Sequence, residues 1–195
     1  MCGINGFVTK NNSKNAITQL TEDISEMNNL IIHRGPDDDG VFIDSHENHN
    51  IAMGMRRLSI IDLQSGKQPI FSDDKQIVIV FNGEIYNFLE LKKGLKSQGV
   101  HFNTNSDTEV ILKLYENEGI SAFNKLDGMF AFSIFDKRKN KIYIARDFFG
   151  EKPLYYTHSA QKFIWASELK SLINVLDYKP SISSNGLNHF LRLTY

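Results

Sequence analysis

Cysteine is nearly absent: the 195 residues contain one, at position 2. No internal disulfide can form, and a thiol at the second residue needs a reason of its own. An excess of one charge is missing as well. The 22 Lys and Arg side chains face 23 Asp and Glu, a net charge of −1, and the basic residues never gather into a stripe, so the electrostatic footprint of a nucleic-acid binder is lacking. No apolar run approaches the roughly 18 residues that cross a bilayer, and the N-terminus lacks the basic-then-apolar pattern of a secretory signal. A cytoplasmic protein with no membrane partner is therefore expected. Internal repeats and low-complexity segments are also lacking. What remains, 41% hydrophobic and 23% charged, suffices for one core of ordinary size.

The chain opens on Gly3-Ile4-Asn5-Gly6-Phe7-Val8, a short apolar run that suits a buried strand. Ile17, Leu20, Ile24, Met27, Leu30 and Ile31 then recur at spacings of three and four, which predicts an amphipathic helix over 17–32. Asp37 to Gly40 reads as a turn into a strand at 41–43, and 51–58 and 77–81 read as two more strands. Asn82-Gly83 is a turn signal closing the last of these. Helices are expected at 87–95 and 108–118, the second behind a Ser106 N-cap with Glu109 completing a capping box. Four β-like runs follow at 129–135, 141–145, 154–157 and 163–166, and then a helix at 168–173. Strands arrive in runs, not in βαβ alternation, so an α+β fold of mainly antiparallel sheets layered with helices is favoured. A domain over 2–179 is expected, with 180–186 a linker and 187–195 the start of a further domain that is cut off.

Removal of Met1, common ahead of a small residue, would leave Cys2 carrying a thiol and a free amine, with ordinary pKa values of roughly 8.5 and 7.7–8.0. An amine titrating near neutrality can take the thiol proton and deliver it to a leaving ammonia. Attack on a carboxamide also needs donors for the oxyanion, and the side chain of Asn82 with the backbone N–H of Gly83 can supply two. A zwitterionic amino acid further needs a cation for its carboxylate and an anion for its ammonium. Arg57 is the best-placed guanidinium, and Glu84 and Asp107 are the candidate acids. Taken singly, each has a plainer reading: a small residue after the initiator or a lipidation site, an Asn-Gly turn, a surface ion pair, a cap.

Seven blocks taken together are more specific. Cys2-Gly3-Ile4, His33-Arg34-Gly35-Pro36-Asp37, Arg57-Leu58-Ser59-Ile60-Ile61-Asp62, Phe81-Asn82-Gly83-Glu84-Ile85-Tyr86-Asn87, Ser106-Asp107-Thr108-Glu109, Leu126-Asp127-Gly128-Met129-Phe130-Ala131-Phe132 and Gly150-Glu151-Lys152-Pro153-Leu154-Tyr155-Tyr156 follow one another in this order. Their order resembles the class II glutamine amidotransferase domain of glutamine-hydrolysing asparagine synthetases. The resemblance implies an N-terminal-nucleophile hydrolase fold, a four-layer αββα sandwich with two antiparallel sheets. It implies a glutaminase with Cys2 as nucleophile, Asn82 and Gly83 as oxyanion donors, Arg57 binding the carboxylate of L-glutamine, and Glu84 and Asp107 binding its ammonium. Arg34 would support the nucleophile. The partner implied is a synthetase domain that turns ammonia into product. ATP and magnesium belong to that half, and neither a Ser-Gly-Gly-x-Asp-Ser loop nor a Walker pattern occurs in these residues. No cofactor is expected here, and a homodimer is compatible with the sequence.

Two departures bear on the acceptor of the ammonia. Phe148-Phe149 stands where such proteins often carry a basic or polar residue, and Glu151 ahead of Lys152-Pro153 is similar to amidotransferases of surface-polysaccharide pathways. A sugar or polysaccharide precursor therefore stands beside aspartate as acceptor, and a non-catalytic interaction module is the rival of a different class. His46-Glu47-Asn48-His49 is expected to be a solvated hairpin loop and Asp37 to Gly40 a turn, so no metal site is expected. Trp165 and the run 130–135 are core candidates.

Overall fold

The computed structural model describes residues 2–10, 16–45, 48–58 and 66–194. Its elements run β1 (Gly3–Lys10), α1 (Ala16–Leu30), a 3₁₀ turn (Ile32–Arg34), β2 (Asp38–Ser45), β3 (His49–Arg57), β4 (Ile70–Phe71), β5 (Ile77–Ile85), α2 (Phe88–Ser97) and α3 (Asp107–Glu118). A 3₁₀ segment (Gly119–Lys125) leads to β6 (Gly128–Asp136), β7 (Lys141–Arg146), β8 (Tyr155–His158), β9 (Lys162–Ala166), α4 (Leu169–Asn174) and α5 (Ser184–Leu193). Two antiparallel sheets result, one ordered β2-β3-β1-β9-β8 and the other β4-β5-β6-β7. None of the described helices is long and apolar enough to cross a membrane.

The period of two along each strand explains why four layers form. In β5, Ile77, Ile79 and Phe81 pack with Ile111, Leu112 and Tyr115 of α3, covering one face of the second sheet. Val78 and Val80 point the other way, into a core between the sheets shared with Ile4, Met53, Met55 and Trp165. On the far side of the first sheet, Phe7, Ala52 and Ile164 meet Leu20, Ile24 and Met27 of α1 and Leu172 of α4. Helix, sheet, sheet, helix is thus the order of layers, as the resemblance implied. The same parity fixes the direction of polar residues. Asn82 shares the side of Val78 and Val80, Arg57 that of Met53 and Met55, and Cys2 that of Ile4, so all three are carried on the face between the sheets.

Several sequence expectations need correction. Asn82-Gly83 is not a turn: β5 runs on to Ile85, with Asn82 opposite Ala131 and Gly83 opposite Phe130. The glycine serves close approach instead, since a Cβ there would stand 2.2 Å from the Met129 carbonyl oxygen. Asp38 to Gly40 belongs to β2 and not to a turn, because β3 offers partners as far as Arg57 and the Asp39 carboxylate lies 3.6 Å from Arg56. Ser106 does cap α3, accepting the Glu109 N–H at 3.2 Å. Glu109 does not close the capping box, because its carboxylate is taken by the N–H groups of Asn103 and Thr104 at 2.8 and 2.6 Å. The expected linker is shorter than read, since α5 already starts at Ser184, capped by Ser183, and buries none of its residues. The His46-Glu47 part of the predicted hairpin loop lies outside the described residues.

Candidate functional site

Cys2 sits just ahead of β1, beside the end of β3. Its Sγ accepts the Leu58 N–H at 3.4 Å and lies 3.6 Å from the Leu58 carbonyl. The Cys2 carbonyl accepts from Arg34 Nε at 2.9 Å, and Arg34 in turn donates to Glu168 at 3.1 Å, a carboxylate that also meets His33 Nε2 at 2.8 Å. Burial pushes the Glu168 carboxyl up, yet the hydrogen bonds from His33 and Arg34 together outweigh it and hold the pKa below its ordinary value. A charged Arg34–Glu168 pair thereby anchors the main chain that carries the thiol.

Across from the thiol runs the free edge of β5. The Phe81 N–H is taken by Gln68 Oε1 at 2.7 Å, and the Ile85 N–H by Asp107 Oδ2 at 3.1 Å. Alternation puts the N–H of Gly83 on this same edge, between those two. Next to it, Asn82 is 1% exposed and its Nδ2 finds no acceptor among the described residues. A buried amide donor left without a partner costs on the order of 1–3 kcal/mol, which makes it a strong indication that something else is to be bound there.

Charges complete the enclosure. Arg57 is 5% exposed at the end of β3, and Asp107 is equally buried at the first turn of α3, where its other oxygen accepts the Thr108 N–H at 2.9 Å. Burial drives the Asp107 pKa up to about 6, nearby Glu84 adds to the rise, and the backbone N–H groups of Ile85, Thr108 and Asp107 itself oppose it. Glu84 itself lies exposed at the rim. Cys2, Arg57, Asn82, Gly83, Glu84 and Asp107 all line one cavity of about 110 Å³. Arg34 does not line it and touches it only through Cys2.

Further residues join the wall that sequence reasoning did not single out. Leu58, Gln68, Thr108, Met129 and Lys152 line the same cavity. What the Gln68 side chain does emerges only from the register of β4. Lys152 is 5% exposed, and its place depends on Asp147, whose carboxylate accepts the N–H groups of Phe130, Glu151 and Lys152 at 3.2, 2.7 and 3.0 Å. Among the described residues no cluster of three or more potential ligands could hold a metal ion.

Residues 1–195 match the family described as a glutamine amidotransferase domain. Asparagine synthetase [glutamine-hydrolyzing] 1 of Bacillus subtilis is 48% identical over 173 residues, covering 89% of this chain and 27% of the relative. Putative asparagine synthetase [glutamine-hydrolyzing] 2 of Methanocaldococcus jannaschii is 40% identical over 212 residues, covering 100% of this chain and 40% of the relative. The chain thus spans less than half the length of either. Among solved structures, an allosteric regulatory enzyme of purine biosynthesis superposes with a TM-score of 0.71 at 22% identity, over 89% of this chain and 43% of that one. At that identity it speaks for the fold alone, two antiparallel sheets between helical layers. With the family match running its full length, this chain belongs to the glutamine amidotransferase domain family.

Proposed function

We propose that the chain hydrolyses L-glutamine to L-glutamate and ammonia through a γ-glutamyl thioester on Cys2, once processing has freed the Cys2 amine. One observation carries the assignment of roles: a buried amide donor on Asn82, without a partner among the described residues, lines the same small cavity as the only thiol. The amine takes the thiol proton as sulfur bonds to the side-chain carbonyl carbon of glutamine. Asn82 Nδ2 and the Gly83 N–H stabilise the oxyanion, and the same proton passes to the departing nitrogen as the C–N bond breaks and ammonia leaves. Water then adds to the thioester with the amine as base, and collapse of the second intermediate releases glutamate and regenerates the thiol. Arg57 holds the α-carboxylate, and ionised Asp107 with Glu84 holds the α-ammonium. These steps require no metal or nucleotide.

The relatives are named for asparagine synthesis and are far longer than this chain. In a full-length protein of that kind, the ammonia released here is passed to an ATP-dependent synthetase portion, where ATP and magnesium act, and aspartate is the acceptor. The experiment that tests the glutaminase reading is covalent capture. An electrophilic glutamine analogue should add one equivalent to the processed chain, mapped to Cys2 by peptide mass, and glutamine should protect against it. Labelling at other residues, or no protection, would count against the reading.

A further inference from the structure

β4 is only two residues long, with Ile70 opposite Ile79 and Phe71 opposite Val78. Continued by two residues, that register puts Gln68 opposite Phe81, but the ladder stops at Ile70. The Gln68 main chain is drawn instead against β2, where a Cβ on Gly40 would stand 2.0 Å from the Gln68 carbonyl oxygen. Only glycine at position 40 allows that approach. The Gln68 side chain takes the place of the missing strand: Oε1 accepts the Phe81 N–H at 2.7 Å, and Nε2 donates to the Phe81 carbonyl at 3.2 Å and to Thr108 Oγ1 at 3.3 Å.

We propose that Gln68 is a positioning residue for glutamine hydrolysis, its carboxamide holding the oxyanion donors of β5 at a fixed distance from the α3 terminus that carries Asp107. The inference rests on the reading of Asn82 and Gly83 as those donors. The Phe81 carbonyl belongs to the peptide that enters Asn82, so fixing that carbonyl fixes the plane from which the Asn82 side chain departs. The Phe81 N–H is the edge donor just before that of Gly83. Thr108, the third contact, follows Asp107 and donates its own N–H to that carboxylate. One neutral side chain therefore joins the elements that bind the two ends of the substrate. Displacements of about 1 Å in such a frame cost up to about a hundredfold in rate, even from residues that never touch the reacting atoms.

Steady-state glutamine hydrolysis by the processed chain tests this through a cycle of Gln68→Met, Asn82→Ala and the double variant. Gln68→Met keeps length and loses all three hydrogen bonds. It should lower kcat by about tenfold or more with KM within about threefold, and add less than about threefold in the Asn82→Ala background. Gln68→Glu keeps the acceptor for the Phe81 N–H but sets a carboxylate oxygen against the Phe81 carbonyl, so it should lower kcat as Gln68→Met does, and full turnover in it would overturn the proposal. Equal losses in both backgrounds, or an effect confined to thermal stability, overturn the proposal. Should Gln68→Met not fold, Gln68→Asn takes its place in the cycle: its amide falls one methylene short of Phe81, and turnover equal to that of the unsubstituted chain overturns the proposal. Unchanged turnover in Asn82→Ala alone would overturn the oxyanion reading itself, an outcome distinct from the failure of Gln68.

Discussion

Arg34 Nε donates to the carbonyl of Cys2 across 2.9 Å. The guanidinium is held on its other side by Glu168, so the thiol is positioned by a chain of contacts that starts at α4. Arg34→Met should keep much of the packing and release this anchor. We expect kcat to fall between about tenfold and a hundredfold with KM nearly unchanged, measured by ammonia release at saturating glutamine. A rise in KM at constant kcat would place Arg34 in substrate binding instead.

Asn82 allows activity and stability to be separated. Removing a donor with no partner among the described residues relieves about 1–3 kcal/mol, which the packing lost with the side chain offsets, so folding free energy should change by less than about 1 kcal/mol, whereas losing the proposed oxyanion donor should raise the barrier by about 3 kcal/mol. Denaturant melts and kcat of Asn82→Ala give the two numbers. A large loss of stability with normal turnover would contradict the assignment.

Gly83 should show the opposite behaviour. An alanine methyl would meet the Met129 carbonyl at 2.2 Å and the Phe130 Cα at 2.7 Å, and both are backbone atoms of the neighbouring strand. Gly83→Ala should therefore cost about 3 kcal/mol of stability by forcing β5 and β6 apart, and turnover should fall with it. Circular-dichroism melts check the first effect, and a Tm equal to that of the unsubstituted chain would show that the strands yield freely.

This part of the site was only half legible beforehand. Cys2, Asn82 and Asp107 could be proposed because chemistry restricts which residue types serve as nucleophile, oxyanion donor and counter-charge. The helices expected over 17–32 and 108–118 were readable because their apolar residues recur at three and four. Asn82-Gly83 was misread as a turn because a glycine that opens a bend and one that admits a neighbouring backbone look alike in one dimension. Gln68 and Lys152 had no local signature: one acts through the register of a two-residue strand, and the other through a loop organised by Asp147. Such roles depend on partners far along the chain, and only the pairing of strands brings them together.

Asp107 sets the acid side of the pH dependence. Its pKa of about 6 lies above the ordinary 3.8, so between these values the folded chain binds a proton that the unfolded chain has released. Stability contributed by this group is therefore greatest below about pH 4 and is withdrawn as pH rises to 6, a change of about 3 kcal/mol. Asp107→Asn should raise Tm at pH 8 relative to the unsubstituted chain and lose that advantage at pH 4. Binding runs the other way, because the substrate ammonium needs the ionised acid. In the unsubstituted chain kcat/KM should fall about tenfold per pH unit below 6, and Asp107→Asn should have low kcat/KM without that limb. The same acid limb in both proteins would contradict the role given to Asp107.

The central claim is that the sulfur of Cys2 attacks glutamine, and the most direct measurement is ammonia and glutamate release by the processed chain beside its Cys2→Ala variant. Equimolar ammonia and glutamate from the first, and no release above the uncatalysed rate from a folded second, is the predicted result. Glutamine hydrolysis retained by Cys2→Ala would contradict it.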